Sequence, residues 1–417
     1  MSAATTRLIP TPKVWLGLAH ATKPAFALVV DGWFDGDVHR PQQSTLVVKA
    51  GRIAEISAGD HGADLERQGI RVERGSFLLP GLVDAHAHLF LNGKPTDSQV
   101  RSAHLKQPLE RLKEAARMSG RQALDCGVTM VRDAGDRHGI NNQMREEARN
   151  PANGLPQVRS AGLGVKRPKR YGAFMAKDVE DAEAIRASVT ELAMTNDEIK
   201  LILTGIIDFD AGAVTDEPQF DLESAKLVVD TAKACGKNTF AHCSGIKGLA
   251  IAAHAGVGSI EHGFFMDREI LGVMADKGVA WTPTFCPVHF QWAHPEAIGW
   301  SAQTVGNLRR ILDSHAEHLL LAQQMGVRLL LGTDAGSMGV EHGYALFEEI
   351  DRYLEAGLPL EATLTAATAG ARRYFGFEHA RLEKGALFDV ILTAASPFDD
   401  ISVLRPRAAQ DLARTDA

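Results

Sequence analysis

The sequence predicts an α/β fold, a (β/α)8 barrel of the TIM type. Short apolar segments that end in polar residues alternate with longer segments of helical periodicity, which is typical of a parallel sheet with crossover helices. Eight such units over roughly 300 residues match the size of a closed barrel. Ligand-type residues stand at several strand ends, where barrel active sites lie. An open doubly wound sheet is the structural alternative, but no Gly-x-Gly-x-x-Gly motif follows the first strand.

The predicted elements of the barrel are eight strands and at least six helices. The strands are expected at 82–89, 128–135, 157–165, 198–205, 238–243, 259–263, 279–284 and 328–334. The helices are expected at 108–125, 179–195, 221–235, 245–256, 267–277 and 302–325. Short β-like pieces before residue 80, such as FALVVDGWFDG, and again at 386–397 indicate an antiparallel β unit.

Composition excludes several classes of protein. Of the 417 residues, 45 are Lys or Arg and 52 are Asp or Glu, so the net charge of −7 argues against nucleic acid or an anionic membrane as the main partner. No run of 18 apolar residues is present to span a bilayer. Four cysteines without a Cys-x-x-Cys pair indicate neither a disulfide framework nor a cysteine-type zinc site. The N-terminal apolar pieces are too broken for a secretory signal, so a cytoplasmic location is expected.

Two histidines in the first strand predict a metal site. His86 and His88 are two positions apart, and side chains two apart on a strand point to the same face. A pair of satisfied core histidines is the alternative, but two imidazoles on one inward face make a poor core. Asp84 shares their face and is expected to orient them.

Lys200 interrupts an otherwise apolar strand, EIKLILTG. A buried ammonium is costly, and it normally loses its proton or finds a partner. One interpretation is a lysine whose head reaches solvent or an acid. The other is a neutral amine that has reacted with carbon dioxide, giving a carbamate able to bridge two metals. The residue itself leaves both open.

Three further strands end in ligand-type residues. These are His242 in TFAHC, His262 in SIEHG and Asp334 in LLLGTDAG. Neutral imidazoles suit Zn, Mn, Co or Ni, and a carboxylate adds charge and a proton acceptor. Each residue alone has an equally good structural explanation, but in order around a barrel mouth they predict one site.

These motifs resemble the amidohydrolase superfamily, and more narrowly its imidazolonepropionase-like and Xaa-Pro dipeptidase-like branch. The resemblance rests on the H-x-H pair, on Lys200 and on several motif segments. The segments are PGLVDAHAH (80–88), GVTMVRDAG (127–135), AGVGSIEHG (255–263), LGTDAG (331–336) and LEKGALFDVIL (382–392). The motifs are specific for the superfamily and much less so for the substrate.

The resemblance implies a fold and a ligand set. A barrel at residues 81–378 would be joined by a small β-sandwich made from both chain ends, residues 1–80 and 379–417. The site would hold two divalent metal ions, with zinc expected. His86, His88 and Asp334 would hold the buried metal. His242 and His262 would hold the exposed metal, and carboxylated Lys200 would bridge the two.

The expected function is hydrolysis of an amide C–N bond in a dipeptide, N-acyl amino acid, lactam or carbamate. Water bound at such a centre ionises near neutral pH, and the metal-bound hydroxide would attack the carbonyl. Asp334 is the expected general base and the later proton donor to the leaving nitrogen. A phosphotriesterase or esterase can use the same ligands, and a non-catalytic metal-binding barrel is a less favoured alternative. A deaminase is disfavoured because CSGIKG, and not a catalytic Glu, follows His242.

Substrate contacts are predicted at His138, Arg170 and Tyr171. Arg170 and Tyr171 lie in a basic loop after strand three, which is either a solvated surface loop or a clamp for a substrate carboxylate. His138 follows strand two and either faces the pocket or lies on the surface. Acids after strand four would instead recognise a basic substrate, and the sequence leaves this choice open: Asp208, Asp210, Asp216 and Glu217. The aromatic segment 285–300 is expected to be a long loop that serves as a lid or pocket wall. The partner is expected to be a small molecule, and the chain to form a homo-oligomer.

Overall fold

The computed structural model describes residues 13–15, 17, 21 and 23–406. The strands are β1 Lys13–Trp15, β2 Phe26–Phe34, β3 His39–Arg40, β4 Ser44–Lys49, β5 Arg52–Ala58, β6 Arg71–Pro80, β7 Leu82–Ala87, β8 Val128–Asp133, β9 Gln157–Ser160, β10 Gly164–Lys166, β11 Ala176–Asp178, β12 Glu198–Ile202, β13 Asn238–Cys243, β14 Ser259–His262, β15 Ala280–Thr282 and β16 Val390–Thr393.

The helices are α1 Gly62–Arg67, α2 Ser98–Leu105, α3 Leu109–Asp125, α4 Ile140–Ala148, α5 Ala182–Ala193, α6 Leu222–Ala234, α7 Ile246–Ala255, α8 Arg268–Lys277, α9 Cys286–Ala293, α10 Pro295–Ile298, α11 Ala302–Gln324, α12 Tyr344–Glu355, α13 Leu360–Ala366 and α14 Ala369–Tyr374. The chain divides into two compact units. The first is drawn from Met1–Leu82, Ala123–Thr129 and Leu360–Ala417, and the second from Val83–Gln122 and Met130–Pro359.

The first unit contains one seven-stranded sheet. Its order is β1-β16-β6-β2-β4-β5, with β3 paired to β2. Strand β16 lies between β1 and β6 and is antiparallel to both, so the two ends of the chain contribute neighbouring strands. Phe26, Leu28 and Val30 of β2 pack with Phe388 in one buried apolar core, and burial of these side chains stabilises the sheet.

The second unit is built from parallel strands. Six of them run in the order β11-β10-β12-β13-β14-β15, and β7-β8-β9 form a shorter sheet. Helices α5 to α8 connect successive strands from β11 to β15, because parallel strands need a crossover between them. The predicted alternation of strands and helices, and with it the α/β class, is therefore observed here.

Three crossover helices begin at an aspartate. Asp181, Asp221 and Asp267 precede α5, α6 and α8, and each carboxylate accepts a hydrogen bond from the backbone N–H three positions later. Such caps satisfy donors that have no partner inside the helix.

The six helices predicted from periodicity are confirmed, with ends that differ by at most three residues.

Two predicted strands differ in detail. The candidate at 157–165 is two strands, β9 and β10, separated at Gly162, whose φ of +58° ends an extended run. The candidate at 328–334 is not a regular strand, but its backbone is hydrogen-bonded on both sides. The backbone N–H of Trp281 donates to the carbonyl of Arg328 at 2.9 Å, and the backbone N–H of Ala85 donates to the carbonyl of Leu331 at 2.9 Å.

The segment 285–300 is helical, not the long loop expected. It contains α9 and α10. The Glu349 carboxylate accepts hydrogen bonds from the N–H groups of Phe285 (3.0 Å) and Cys286 (3.1 Å), where α9 begins. This capping carboxylate lies 63 positions after Cys286, which is why the local sequence pattern did not reveal it.

No helix in the described part of the chain is both long and apolar enough to cross a membrane.

Candidate metal centre

Hydrogen bonds hold the end of β7 beside segment 328–335. The His86 carbonyl accepts from the N–H of Asp334 at 2.7 Å, and the His88 N–H donates to the carbonyl of Ala335 at 2.8 Å. The Asp84 carboxylate accepts from the His86 N–H at 3.2 Å, and from the N–H and hydroxyl of Thr333 at 3.0 and 2.6 Å. These hydrogen bonds of Asp84 therefore fix the backbone of both segments.

His86, His88 and Asp334 form a compact group. The Oδ1 atom of Asp334 lies 3.6 Å from His86 Nε2 and 3.7 Å from His88 Nε2. One ligand atom from each of the three lies within 4.8 Å of the others. The Nδ1 atoms are occupied, by Glu261 Oε2 at 2.7 Å for His86 and by the Gly135 carbonyl at 3.0 Å for His88. Each Nε2 atom is thus left for a metal.

His242 and His262 extend this cluster. Their ring centroids are 4.5 Å apart, and the His262 ring lies 5.0 Å from that of His86. Thr284 Oγ1 lies 2.8 Å from His262 Nδ1, which again leaves Nε2 for another partner. The four histidines predicted from the strand ends are therefore neighbours.

Lys200 is fully buried. Its Nζ atom donates to the sulfur of Met175 at 3.0 Å and lies 5.8 Å from the centroid of Phe240. The neighbouring carboxylates contact other groups: Asp334 lies 3.6 Å from His86 Nε2, and Glu261 lies 2.7 Å from Arg132. Burial lowers the pKa of the lysine to about 8, because the charged form loses its hydration. The neutral amine, the form that reacts with carbon dioxide, is therefore accessible.

Burial sets the charge state of the cluster. Desolvation, with the nearby Lys200 charge second, lowers the pKa of His242 to about 3 and those of His86 and His88 well below the ordinary value. Burial raises the pKa of Asp334 to about 6. The imidazoles are consequently neutral at pH 7, which is the protonation state that binds metals.

Two residues of the cluster have left-handed backbone conformations. The φ angles are +68° at His262 and +56° at Asp334, which is uncommon for residues other than glycine. An extended strand would place Glu261 and His262 on opposite faces, yet both reach His86. Such strain persists where the surroundings impose it, and it concentrates at functional sites.

Unpaired nitrogen atoms show that the cluster suits a metal ion. His86 Nε2 and His262 Nε2 are buried and have no hydrogen-bond partner among the described residues. A buried polar atom without a partner costs free energy, and a divalent cation would supply that partner. Imidazole nitrogens with one carboxylate are a donor set for zinc and similar metals.

The predicted substrate contacts lie in three different settings. The Tyr171 ring lies 5.3 Å from that of His242, so this residue borders the cluster. His138 is exposed. Arg170 donates to the carbonyl of Glu217, which ties the basic loop to the acidic one. The roles of these three residues stay predictions.

Two functional candidates were missed in the sequence. Glu261 and Arg132 are both fully buried, and Glu261 contacts His86 directly. Arg132 contacts Glu261 at 2.7 Å. The available signal was a charged residue immediately before the last residue of each strand, Arg132 in VTMVRD and Glu261 in SIEH.

We expect Gly332→Ala to destabilise the protein by about 1–3 kcal/mol and to weaken metal retention. A methyl group there would lie 2.7 Å from the His86 backbone N and 2.6 Å from Thr282 Cγ2, so segment 328–335 would move away from β7. Thermal unfolding and metal analysis would measure both effects. Gly272→Ala is the matched control, since its methyl group would meet only Met325 Cε at 3.8 Å within α8. Equal behaviour of the two variants would contradict this prediction.

A histidine-rich cluster at the carboxyl ends of parallel strands is typical of metal-dependent hydrolases. The chain belongs to the amidohydrolase family, which it matches over residues 77–411. The resemblance noted in the sequence is thereby confirmed.

The chain is similar in sequence to two known proteins and in fold to a solved structure. The chain is 27% identical to ochratoxinase of Aspergillus niger over 408 residues, covering 89% of this chain and 82% of the relative. It is 29% identical to an uncharacterized protein of Mycobacterium tuberculosis over 334 residues, 79% and 82% of the two chains. The crystal structure of a Xaa-Pro dipeptidase with bound methionine has a TM-score of 0.76 at 24% identity, covering 91% of this chain and 96% of that one. That structural likeness shows a shared fold.

Proposed function

We propose that this protein hydrolyses an amide C–N bond at a binuclear metal centre. The observation that carries the proposal is the cluster of four neutral histidines, Asp334 and the buried Lys200, with two histidine nitrogens left unpaired. Membership of the amidohydrolase family supports it. The similarity to proteins named as an ochratoxinase and a Xaa-Pro dipeptidase also favours amide substrates.

We propose that the parallel strands of the second unit close into a (β/α)8 barrel. The support is the pairing of segment 328–335 with β15 on one side and β7 on the other. A further contact joins the two sheets of this unit: the backbone N–H of Asp197, just before β12, donates to the carbonyl of Ser160 in β9 at 2.9 Å. The mixed sheet of the first unit would then be the small β domain built from both chain ends.

The division of the ligands between two ions follows the resemblance to the amidohydrolase superfamily, and the proximity of His86, His88 and Asp334 supports its first half. His86, His88 and Asp334 would hold one divalent ion, and His242 and His262 the other. Lys200, carboxylated at Nζ, would bridge them. Zinc is the expected metal, and such ions supply Lewis acidity and water that ionises near neutral pH.

The residues of this chain then carry the proton transfers and the positioning. Asp334 accepts a proton from the water that attacks the carbonyl carbon and returns it to the leaving nitrogen. Its carboxylate is placed for this, since it lies beside His86 and 16% of its side chain is exposed. Ser337 donates to Asp334 Oδ2 at 2.7 Å and holds that carboxylate in place. Tyr171, beside His242, forms part of the wall that excludes water from the substrate.

Ester or phosphotriester hydrolysis is the alternative activity, since the same ligand set serves that chemistry. A library of dipeptides, N-acyl amino acids, lactams, carbamates, carboxyl esters and phosphotriesters, assayed with Zn, Mn and Co enzyme, would distinguish the two. Turnover of amides supports the proposal. Turnover of esters or phosphotriesters without turnover of amides would contradict amide hydrolysis and support the alternative activity.

We expect two metal equivalents per chain. Six ligand-type residues converge, whereas one zinc ion normally takes four ligands. Elemental analysis of protein prepared with bicarbonate and zinc should return a value near two. A value of one, together with an unmodified Lys200 in a crystal structure, would contradict the binuclear centre and leave a mononuclear one.

A further inference from the structure

A chain of buried charges runs beneath the metal cluster. Glu198 lies 2.8 Å from Arg159 and 3.8 Å from Arg132. Arg132 in turn contacts Glu261 Oε2 at 2.7 Å, and the same oxygen lies 2.7 Å from His86 Nδ1. Arg132, Glu198 and Glu261 are at most 1% exposed. Positive and negative groups therefore alternate from Arg159 to the imidazole of His86.

Arg132 holds the Glu261 carboxylate in a fixed position. Its guanidinium also donates to the carbonyl of Ala85 at 2.5 Å, to Ser259 Oγ at 3.2 Å and to Thr282 Oγ1 at 3.3 Å. Its Cζ atom lies over the Phe240 ring, 4.4 Å from the centroid. The Ser259 hydroxyl donates to Glu261 Oε1. Both carboxylate oxygens of Glu261 therefore accept hydrogen bonds, and these contacts fix the orientation of the carboxylate.

The position of Glu261 decides which nitrogen of His86 carries the proton. A carboxylate accepts, so Nδ1 must be the donor in this contact. The neutral imidazole then has its lone pair on Nε2, the atom that faces Asp334. A carboxylate behind a ligating histidine also raises its basicity toward the metal.

We propose that the Arg132–Glu261 pair is a positioning device that selects the metal-binding tautomer of His86. This inference rests on the proposed metal centre and adds two residues that contact no metal. A purely structural role for the pair is the alternative. The two roles predict different results for a variant with apolar side chains at both positions. A buried ion pair can be replaced by apolar side chains of similar volume with little loss of stability. Apolar side chains cannot orient the imidazole of His86, so zinc binding would still be weakened.

The test is zinc retention in the double variant Arg132→Met, Glu261→Met and in the single variant Glu261→Gln. The double variant removes both charges together and leaves neither buried alone. Zinc-loaded proteins would be titrated with a chelator, and thermal unfolding would be recorded at saturating zinc. We expect the zinc ion held by His86, His88 and Asp334 to be bound about 10–100-fold more weakly in the double variant. In Glu261→Gln, which keeps an acceptor but loses the charge, we expect a loss of about tenfold.

Glu349→Gln is the matched control, since Glu349 is a fully buried carboxylate that accepts two backbone N–H groups at the start of α9. Its substitution should leave zinc retention unchanged. Wild-type retention in both test variants, or an equal loss in Glu349→Gln, would overturn the proposal. If the double variant does not fold, zinc retention by Glu261→Gln alone tests the proposal. Failure of the wild-type protein to bind zinc would instead refute the metal centre itself.

Discussion

Asp334→Asn should lower kcat by about 10²–10⁴-fold and leave KM nearly unchanged. Asparagine keeps the shape of the side chain and one oxygen near the two histidines, but it cannot carry a proton. Proton transfer is needed when the carbonyl is attacked and again when the nitrogen leaves, so the loss falls on the transition state and not on substrate binding. Steady-state kinetics on an amide substrate would measure the effect, with zinc content determined on the same sample.

The matched control for this substitution is Asp276→Asn, an exposed aspartate near the end of α8. It should behave as wild type. If fully zinc-loaded Asp334→Asn turned over the amide at close to the wild-type rate, Asp334 would not be the proton carrier. The base would then have to be sought among the other groups that border the cluster.

Lys200→Ala should lose metal and activity together, and small carboxylic acids should restore part of both. The alanine variant vacates a buried space beside Met175 and Phe240. A free carboxylate that enters this space offers the two oxygens that the proposed carbamate provides. Zinc content and amide turnover, measured with increasing formate or acetate, would show the rescue.

Lys166→Ala provides the comparison, because Lys166 is also a buried lysine but pairs with Asp178 at 2.5 Å. Carboxylic acids should not restore any function lost by that variant. A Lys200→Ala protein with full zinc content and full activity would refute the bridge. Loss of zinc without any rescue would point to a lysine that supports the fold alone.

The sequence was sufficient for features that depend on local periodicity or on strand ends. Helices such as α11 followed from their spacing of apolar residues, and the neighbouring positions of His86 and His88 followed from the geometry of a strand. The four histidines and Asp334 come together because parallel strands place their carboxyl ends at one edge. Family membership followed from motifs that combine these positions.

Other features depended on contacts between distant residues. The left-handed backbone of His262 and Asp334 is another such feature, since His and Asp adopt positive φ more often than most residues but do so in only a small fraction of cases. The role of Glu261 depends on Arg132, 129 positions earlier in the chain. The basic loop after the third strand also illustrates this limit, since Arg170 turned out to bind the backbone of the acidic loop. Composition showed only that both loops were charged.

The pairing of segment 328–335 with β7 has a consequence for how the protein is made. Asp334 is synthesised 248 positions after His86, which at typical rates of elongation means on the order of ten to fifty seconds later. During that interval the H-x-H strand leaves the ribosome without Asp334, Thr333 or the carbonyl of Ala335 to hold it. The proposed ligand set therefore cannot assemble before segment 328–335 has emerged, and zinc offered to the nascent chain would meet the histidines without Asp334. Loading of the proposed metal centre is thus a step that follows synthesis of the chain through Ala335.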